Sequence, residues 1–398
     1  TLEHTFISFL IDGIAVGDVT LGLHLVCPFY NTSQRSGRYS AKMFWKQEWK
    51  EIERYISKYW PRVKKKQKKE ILNYIQKGVT LFQENHPKIT ELSRKFLREE
   101  RPFISQKNLE KNAPKIAQEQ TRMFVPTIFP TALVYTINLV TLAALQRVAW
   151  TPSMRAVVKE MIKLVLKKFP ELDFIYQWKE KNNPDWSPKL ITEKRKVLKE
   201  PKLKLLKVNK LTEVKSPKEN EIGPLDLLHF LPEMMENHFT KIATEIEISL
   251  ATTGQDQRHR TIHRSMPEFT GNFYLPPLLQ EAGLEKKAKE ILDNWLSFKG
   301  KIPDTLWMIL APYGAMIRYK KIGSLNAIIH EQSKRLCWRA QEEIYWLSRL
   351  LREKLKKKNQ DLIKFLEPPC ANGKCPEGAG YCGRDLRLVS KDFRRRKV

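Results

Sequence analysis

Cysteine and glycine are scarce in this sequence, and acidic residues are far fewer than basic ones. Five cysteines among 398 residues exclude a disulfide scaffold and favour a reducing compartment, so we expect a cytoplasmic protein. The 16 glycines and 23 prolines exclude collagen-like and low-complexity classes. An apolar fraction of 41% is enough to build buried cores, and the length predicts about two to three domains.

A secretory signal peptide is not expected at the start of the chain. Residues Thr1–Val26 lack a basic opening and carry Glu3, Asp12 and Asp18. The first residue is Thr1 rather than Met, so we expect a fragment or a processed product.

The 72 Lys and Arg residues exceed the 44 Asp and Glu residues, which gives a net charge of +28. Such a charge attracts polyanions, but the basic residues are spread over many segments, which is typical of a solvated surface. The Lys-rich segment Lys189–Lys218 lacks the aromatic side chains that stack on bases. Nucleic-acid binding is therefore an open alternative that is not favoured.

An uncharged stretch, Met123–Gln146, approaches the composition of a membrane span, which needs about 20 apolar residues. Pro126, Pro130 and several polar residues interrupt it. We therefore predict a helix that starts near Pro130 and is buried in a protein core, with no membrane partner.

Charge runs indicate the domain organisation. Lys64–Lys69 lies in a long helical pattern with a break at Pro61, whereas Lys189–Lys218 is broken by two prolines and is typical of a linker. We predict four regions, which are residues 1–175, a linker at 176–222, residues 223–366, and a basic tail with cysteines at 367–398.

Two halves of the chain share one predicted order of elements. Each opens with an alternating strand, at Thr5–Ile11 and at Ile242–Ser249, and continues through a polar loop, at Leu23–Ser40 and at Gln255–Pro277. Long helices are predicted next, at Trp45–Phe82, Ala113–Arg122, Pro130–Phe169, Leu278–Phe298, Ile317–Lys334 and Leu336–Lys358. This order predicts a mostly helical α+β fold, built as a tandem duplication with a period of about 235 residues.

Each polar loop carries residues that suit an anionic ligand. In the first loop, Ser36, Gly37 and Arg38 combine a hydroxyl, a glycine that permits close backbone approach and a guanidinium, as in a phosphate cradle. The second contains the triplet Arg258-His259-Arg260, and arginine binds phosphate in bidentate fashion. The alternatives without ligand binding are a turn in the first loop and a basic triplet on the surface in the second.

In order and spacing, these motifs resemble those of the flavin-dependent thymidylate synthase (ThyX) family. That family carries an Arg-His-Arg triplet followed by Ser-x-Arg-Tyr, after an opening that Thr1–Phe6 resembles. Pieces of the later family pattern are present in both halves. They are Glu119, Arg122, Pro126 and Asn138-Leu139 in the first, and Pro312, Leu325, His330, Arg335 and Ala340–Ile344 in the second.

The first half departs from the family pattern at the triplet. It has Leu23 and Leu25 in place of the two arginines, and Ala149 in place of the late arginine. It keeps Ser36–Tyr39, displaced by about three residues from the family spacing, and it keeps Arg122.

The second half departs in the complementary way. It keeps Gln255, the triplet and Arg335, but it has no Ser-x-Arg-Tyr and has Met308 at the position that matches Arg122. In the family, four subunits assemble and each active site lies between subunits. The resemblance therefore implies one composite site between the two halves, and a homodimer that forms a pseudo-tetramer.

The resemblance also implies the chemistry of the site. The substrate would be dUMP, the methyl donor methylenetetrahydrofolate, the reductant NADPH and the cofactor FAD. The dUMP would contact Ser36, Gly37, Arg38, Arg122, Gln255 and Arg335, of which Arg335 would be the catalytic residue, polarising the uracil ring. FAD and folate would contact Arg258, His259, Arg260, His330 and Asn138.

Alternatives to this interpretation stay open at the level of sequence. Arg335 has Glu331 one helical turn before it and could be an ion-pair partner, and His330 could be a core histidine. Because several family residues are missing, an inactive scaffold with the same fold stays an alternative. The tail residues Cys370, Cys375 and Cys382 resemble an extension found in some members, and their loose spacing favours free thiols over a zinc site, so no metal is predicted.

Overall fold

A computed structural model describes residues 2–26, 30–35, 42–45, 49–177, 187–191, 195–208 and 240–398. The protein is 54% helical and 19% strand, so the predicted mixture of helix and sheet is confirmed.

The first half of the chain forms a three-stranded sheet and a set of helices. Its strands are β1 (Phe6–Ala15), β2 (Tyr30–Gln34) and β3 (Pro130–Asn138). Its helices are α1 (Val16–Thr20), α2 (Lys42–Trp45), α3 (Trp49–Tyr59), α4 (Lys65–Glu100), α5 (Gln106–Thr121), α6 (Leu139–Val148), α7 (Pro152–Lys168) and α8 (Asp173–Tyr176). The last strand, β3, lies in the centre and pairs antiparallel with both β1 and β2.

The second half forms a larger sheet with helices of its own. Its strands are β4 (Lys189–Leu190), β5 (Val197–Leu198), β6 (Lys202–Val208), β7 (Lys241–Ser249), β8 (His263–Arg264), β9 (Glu268–Tyr274) and β10 (Ala315–Ser324). Its helices are α9 (Leu250–Asp256), α10 (Pro277–Glu281), α11 (Glu285–Ser297), α12 (Asp304–Ile309), α13 (Leu325–Arg335) and α14 (Glu342–Lys356).

Three strands of the second sheet, β7, β10 and β9, follow the same order as β1, β3 and β2 of the first sheet. In the second sheet, β10 is the last strand of its half, lies between β7 and β9 and pairs antiparallel with both. Both central strands end in a polar residue that caps the next helix, because the side chain of Asn138 accepts from the Thr141 amide and that of Ser324 from the Ala327 amide. The helix that follows is α6 in one half and α13 in the other.

The halves meet along the segments that precede β3 and β10. Pro126 pairs with Pro312 in an antiparallel bridge. The Thr127 amide donates to the Ala311 carbonyl at 2.9 Å, and the Tyr313 amide donates to the Val125 carbonyl at 2.9 Å. These reciprocal bonds relate the two segments as a local two-fold axis would. One continuous apolar core surrounds the junction, where the rings of Phe124 and Phe273 stack at 6.2 Å.

Two helices predicted from the sequence are strands in their first part. Residues 130–138 form β3 and residues 315–324 form β10, so the predictions for Pro130–Phe169 and Ile317–Lys334 are wrong there. Burial alternates along β3, and the β-branched and aromatic residues of Thr131–Ile137 suit a pleated strand. The helical parts come later, in α6, α7 and α13.

The described parts of the Lys-rich segment contribute strands to the second sheet. Strand β6 pairs antiparallel with β7, while the short strands β4 and β5 pair in parallel with β9. In β6, leucines alternate with lysines that reach solvent, which is typical of an edge strand. Residues 197–198 and 202–208 of the predicted linker therefore pair with strands of the second sheet, and residues 209–239 lie outside the described part of the chain.

The break predicted at Pro61 is confirmed, because α3 ends at Tyr59 and α4 begins at Lys65. The polar loops are more ordered than predicted, since they contain β2, β8 and β9. None of the helices in the described part combines the length and the apolar character that crossing a bilayer requires.

Candidate functional site

The predicted site residues Arg122, Gln255 and Arg335 are brought together where the two halves meet. Arg122 follows α5 and opens a 3-10 turn at Arg122–Phe124. Its Nη2 donates to the Ala251 carbonyl at 3.1 Å and lies 3.5 Å from Oε1 of Gln341. Because Ala251 and Gln341 belong to the second half, Arg122 connects the two halves at this point.

Gln341 contacts the side chains of both Arg122 and Gln255. Its Oε1 accepts from Nε2 of Gln255 at 2.8 Å, and its backbone amide donates to Oε1 of Gln255 at 3.3 Å. Nη2 of Arg335 donates to the carbonyl of Gln255 at 2.5 Å. We call Arg122, Gln255, Arg335 and Gln341 the Gln341 cluster. Sequence analysis did not name Gln341 as a site residue, although the Ala340–Ile344 run contained it.

A buried carboxyl group lies beside the cluster. Glu343 accepts from the Ser249 amide at 2.7 Å and from the hydroxyls of Ser249 and Thr252 at 2.5 Å each. Burial raises the pKa of Glu343 to about 7, against the lowering effect of these hydrogen bonds and of the Arg122 charge. The group ties α14 to the start of α9, which carries Gln255.

A cleft of about 350 Å³ opens beside the cluster, and we call it the Arg335 cleft. Four of its lining residues are Gln255, Ser333, Lys334 and Arg335. Its other lining residues come from the loop after α13 and from the C-terminal segment, and they are Cys337, Arg339, Ala340, Pro369, Cys370, Cys375, Pro376 and Glu377. Its volume is at the small end of the range of about 300–1,000 Å³ for ligand pockets.

Two histidines lie together on the second half. The rings of His259 and His330 meet edge-on with their centroids 5.7 Å apart. Burial holds the pKa of His259 well below its usual range, and the charge of Arg335 lowers it further. The imidazole of His259 is therefore neutral at neutral pH, with one nitrogen that donates and one that accepts.

The triplet arginines face the first half. Nη1 of Arg260 donates to Oδ1 of Asn31 at 3.1 Å, and its guanidinium lies 4.9 Å from the ring centroid of Tyr30. His24 stacks on Tyr30 at 5.0 Å. Burial, followed by the charges of Arg258 and Arg260, lowers the pKa of His24 to about 3. Arg258 itself is exposed.

A buried ion network beneath the triplet was not predicted. Asp256 accepts from Nε of Arg264 at 2.5 Å, from Nζ of Lys321 at 2.7 Å and from the hydroxyl of Tyr319 at 2.8 Å. Lys321 also donates to Glu331 at 2.6 Å. Although burial opposes it, the charges of Arg264 and Lys321 hold the pKa of Asp256 well below its usual range. The network fixes α9, β10 and α13 against one another.

The same network shows which residue Glu331 pairs with, which concerns the alternative of an ion pair between Glu331 and Arg335. Glu331 forms its ion pair with Lys321, while Arg335 donates to the carbonyl of Gln255.

Nε2 of Gln341 and Nε2 of His259 are buried polar atoms of the site without a hydrogen-bond partner in the described part of the chain. Buried polar groups are normally paired, so these two atoms suit contacts with a polar ligand.

Comparison with known proteins gives a match over the first half of the chain. Residues 1–171 match the family model described as thymidylate synthase complementing protein. The flavin-dependent thymidylate synthase of Clostridium tetani (strain Massachusetts / E88) is 46% identical over 54 residues, which is 14% of this chain. Residues 1–171, which make up less than half of the chain, are thus similar to the thymidylate synthase complementing protein family. The match to the Clostridium protein spans 22% of that relative's length.

The region that matches the thymidylate synthase complementing family extends from β1 to the end of α7. It contains Arg122 and Asn138, whereas Gln255, the triplet, His330 and Arg335 follow it.

Asn138, predicted to contact FAD, caps a helix in this structure. Its Oδ1 accepts from the amide of Thr141 at 2.8 Å and from the Thr141 hydroxyl at 2.7 Å, and its Nδ2 donates to the carbonyl of Glu3 at 3.4 Å. These bonds tie it to the start of α6. The predicted phosphate loop, Ser36, Gly37 and Arg38, lies outside the described residues.

The cysteines of this chain are free thiols where they are described. Cys337, Cys370, Cys375 and Cys382 form no disulfide. Across the described ranges, no group of three or more His, Cys, Asp or Glu side chains is arranged to hold a metal ion.

Proposed function

We propose that this chain is a flavin-dependent thymidylate synthase that methylates dUMP to dTMP, with methylenetetrahydrofolate as methyl donor and NADPH as reductant. The observation that supports it best is the Gln341 cluster. Arg122 lies in the half that matches the family and reaches Gln255 of the other half through Gln341. Arg335 donates in turn to the carbonyl of Gln255. A cationic site of this kind suits an anionic nucleotide.

The proposal includes a tandem duplication of one structural unit. Both sheets place the last strand of their half in the centre, and the segments around Pro126 and Pro312 bond to each other reciprocally. Two copies of a unit that once paired as separate subunits would produce such an arrangement. Each half has kept a different part of the family motif, so one complete site would form between them.

The roles of the substrate-binding residues follow from their chemistry. Arg122 would hold the nucleotide phosphate or ribose, together with Ser36, Gly37 and Arg38. Gln255 would donate to the nucleotide. The guanidinium of Arg335 stays protonated and would lie against a uracil carbonyl, where it stabilises negative charge on the ring.

Some of the residues named for flavin binding are suited to contact a bound flavin, and one of them already has another role. When bound, FAD supplies the transfer of a hydride from NADPH. The neutral imidazole of His259, with an unpartnered nitrogen, would hydrogen-bond a ring edge, and His330 would pack beside it. Arg258 and Arg260 would face the anionic parts of the cofactor or of folate. Asn138 is a proposed FAD contact as well, although its side chain already caps α6.

Two further parts of the proposal concern the whole protein. We propose that two chains associate as a pseudo-tetramer, with the first half of one chain and the second half of the same or the other chain completing each site. We also propose a cytoplasmic location.

The visible absorption spectrum of the purified protein tests this function directly. With added FAD, a bound-flavin spectrum should appear, and it should shift when dUMP is added. His259→Ala should weaken flavin binding, whereas Arg62→Ala, at an exposed site on the first half, should leave it unchanged.

Failure to bind FAD in a folded, dimeric protein would contradict the proposal. The outcome would instead favour a catalytically inactive scaffold, consistent with Leu23 and Leu25 in place of the family arginines. Salt-sensitive binding of RNA would favour a nucleic-acid function for the +28 chain.

A further inference from the structure

The C-terminal segment contributes to the lining of the Arg335 cleft. Cys370, Cys375 and Glu377 line it together with Gln255 and Arg335. Residues more than thirty positions apart in the sequence thus enclose one space next to the Gln341 cluster.

This segment is fixed to the body of the protein. Arg384 is 1% exposed, and its guanidinium lies 4.4 Å from the ring centroid of Trp338. Nη2 of Arg384 donates to the carbonyl of Asp392 at 3.1 Å, and the Phe103 amide donates to the Gly383 carbonyl at 2.9 Å. A buried cation that is stacked and hydrogen-bonded in this way holds the segment in a defined place.

A second connection lies at the cleft itself. Nη1 of Arg339 donates to Glu377 at 3.0 Å and to the carbonyl of Gly380 at 3.2 Å. Both Arg339 and Glu377 line the cleft. The pair therefore connects the loop after α13 to the C-terminal segment across the cleft.

Charge and volume limit what the cleft can hold. Among its lining residues, Lys334, Arg335 and Arg339 are basic and Glu377 is acidic, so the lining favours an anion. A volume of about 350 Å³ suits a mononucleotide better than a dinucleotide such as FAD. Cys375 is half-buried and lines the cleft. A ligand bound in the cleft would therefore cover its thiol.

We propose that residues 369–377 form a wall of the nucleotide site, and that a pyrimidine nucleoside monophosphate binds between Arg335 and Cys375. This inference rests on the proposed function, because it places the proposed substrate in this cleft. It adds a contact surface from the C-terminal segment, which lies outside the region matched to the family.

Protection of Cys375 from alkylation tests the inference. The full-length protein is treated with iodoacetamide, and the labelling rate of each cysteine is followed by peptide mass spectrometry. The dissociation constant for dUMP is measured separately by calorimetry. At a dUMP concentration ten times that constant, labelling of Cys375 should slow about tenfold, because the free fraction falls by that factor.

Two variants complete the experiment. Ser297→Cys places a thiol at an exposed position on α11, and its labelling should not change with dUMP. Cys375→Ser removes the reactive thiol with little change in volume, so the label assigned to this position should be absent from it. Circular dichroism and the melting temperature establish that both variants fold.

The outcomes separate this inference from the function on which it rests. If dUMP binds and Cys375 is labelled at an unchanged rate, the wall is wrong and the proposed function stands. If Cys375 is not labelled in the free protein, the cleft is not open and the inference also fails. If calorimetry detects no dUMP binding, both the inference and the proposed function fail.

Discussion

Gln341 shows how one residue can hold a site together. Its side-chain oxygen lies within reach of donors from Arg122 and Gln255, which belong to different halves. Its Nε2 is buried and has no partner in the described residues, so the same amide can orient the two donors and contact a ligand. A glutamine suits this position because it offers an acceptor and donors at fixed geometry.

Lys321 provides a prediction at the same scale. Its ammonium bridges Asp256 and Glu331, and all three side chains are at most 3% exposed. Lys321→Met should lower the free energy of unfolding by about 3–5 kcal/mol, because it leaves buried carboxylates without their cation. Denaturant titration measures the loss.

A neighbouring lysine is the matched control for that change. Lys320 precedes Lys321 on β10 and is exposed, so Lys320→Met should change stability by less than about 0.5 kcal/mol. Equal effects of the two substitutions would mean that the bridge does not stabilise the fold.

Glu343 provides a prediction about pH. Its pKa in the folded protein is about 7, above the ordinary value of 4.5. Between these values the folded protein retains a proton that the unfolded chain releases, so stability falls as pH rises from about 4.5 to 7. Glu343→Gln removes this dependence.

The measurement is the difference in unfolding free energy between the wild type and Glu343→Gln at several pH values. The wild type should lose up to about 3 kcal/mol relative to the variant across this range. The substitution Glu70→Gln, at an exposed position on α4, should show no comparable trend. A pH-independent difference for Glu343→Gln would contradict the assignment of a raised pKa.

At the scale of elements, the structure explains which sequence predictions succeeded. The strands β1 and β7 were predicted because their apolar residues alternate with polar ones. Strands β3 and β10 were mistaken for helices because each runs into a helix without a glycine or proline between them. Asn138 and Ser324 mark these junctions as helix caps, which is the signal that could have separated the two elements.

Close packing of α4 gives a prediction at this scale. Gly78 lies where α4 crosses the chain that follows Arg122, and a methyl group there would overlap the Phe124 carbonyl oxygen. Gly78→Ala should therefore destabilise the protein by about 1–3 kcal/mol. The loss should be measured as a lower melting temperature, together with weaker dUMP binding if Arg122 moves.

Gly254 in α9 is the matched control. A Cβ there would meet no atom within 4 Å, so Gly254→Ala should leave stability unchanged or raise it by about 0.5–1 kcal/mol. If Gly254→Ala destabilises the protein and Gly78→Ala does not, the open space around a glycine does not predict how an added methyl group changes stability in this protein.

At the scale of the whole molecule, the sequence could predict two halves with related order of elements, but not how they meet. The reciprocal bonds across Pro126 and Pro312 join backbone groups, and residue identity does not encode such long-range pairing directly. Gln341 and Lys321 were missed for the same reason, since their partners are distant in sequence. Arg122, Gln255 and Arg335 were named from motif resemblance, which reports on side chains one by one, and their role in a substrate site stays a prediction.

The composite site is the central claim, and it connects the whole molecule to its chemistry. If Arg122 and Arg335 serve one ligand, loss of either guanidinium must weaken the same binding event. Each charge-assisted contact is worth about 1.5–3 kcal/mol, which corresponds to roughly a 10- to 100-fold change in affinity.

The most direct test is calorimetric measurement of dUMP binding by the wild type, Arg122→Ala, Arg335→Ala and the exposed-site control Arg62→Ala. The composite site predicts that Arg122→Ala and Arg335→Ala each weaken binding at least about tenfold, while Arg62→Ala binds as the wild type does. Wild-type affinity in either of the first two variants, with the fold intact, would show that the two halves do not share one site.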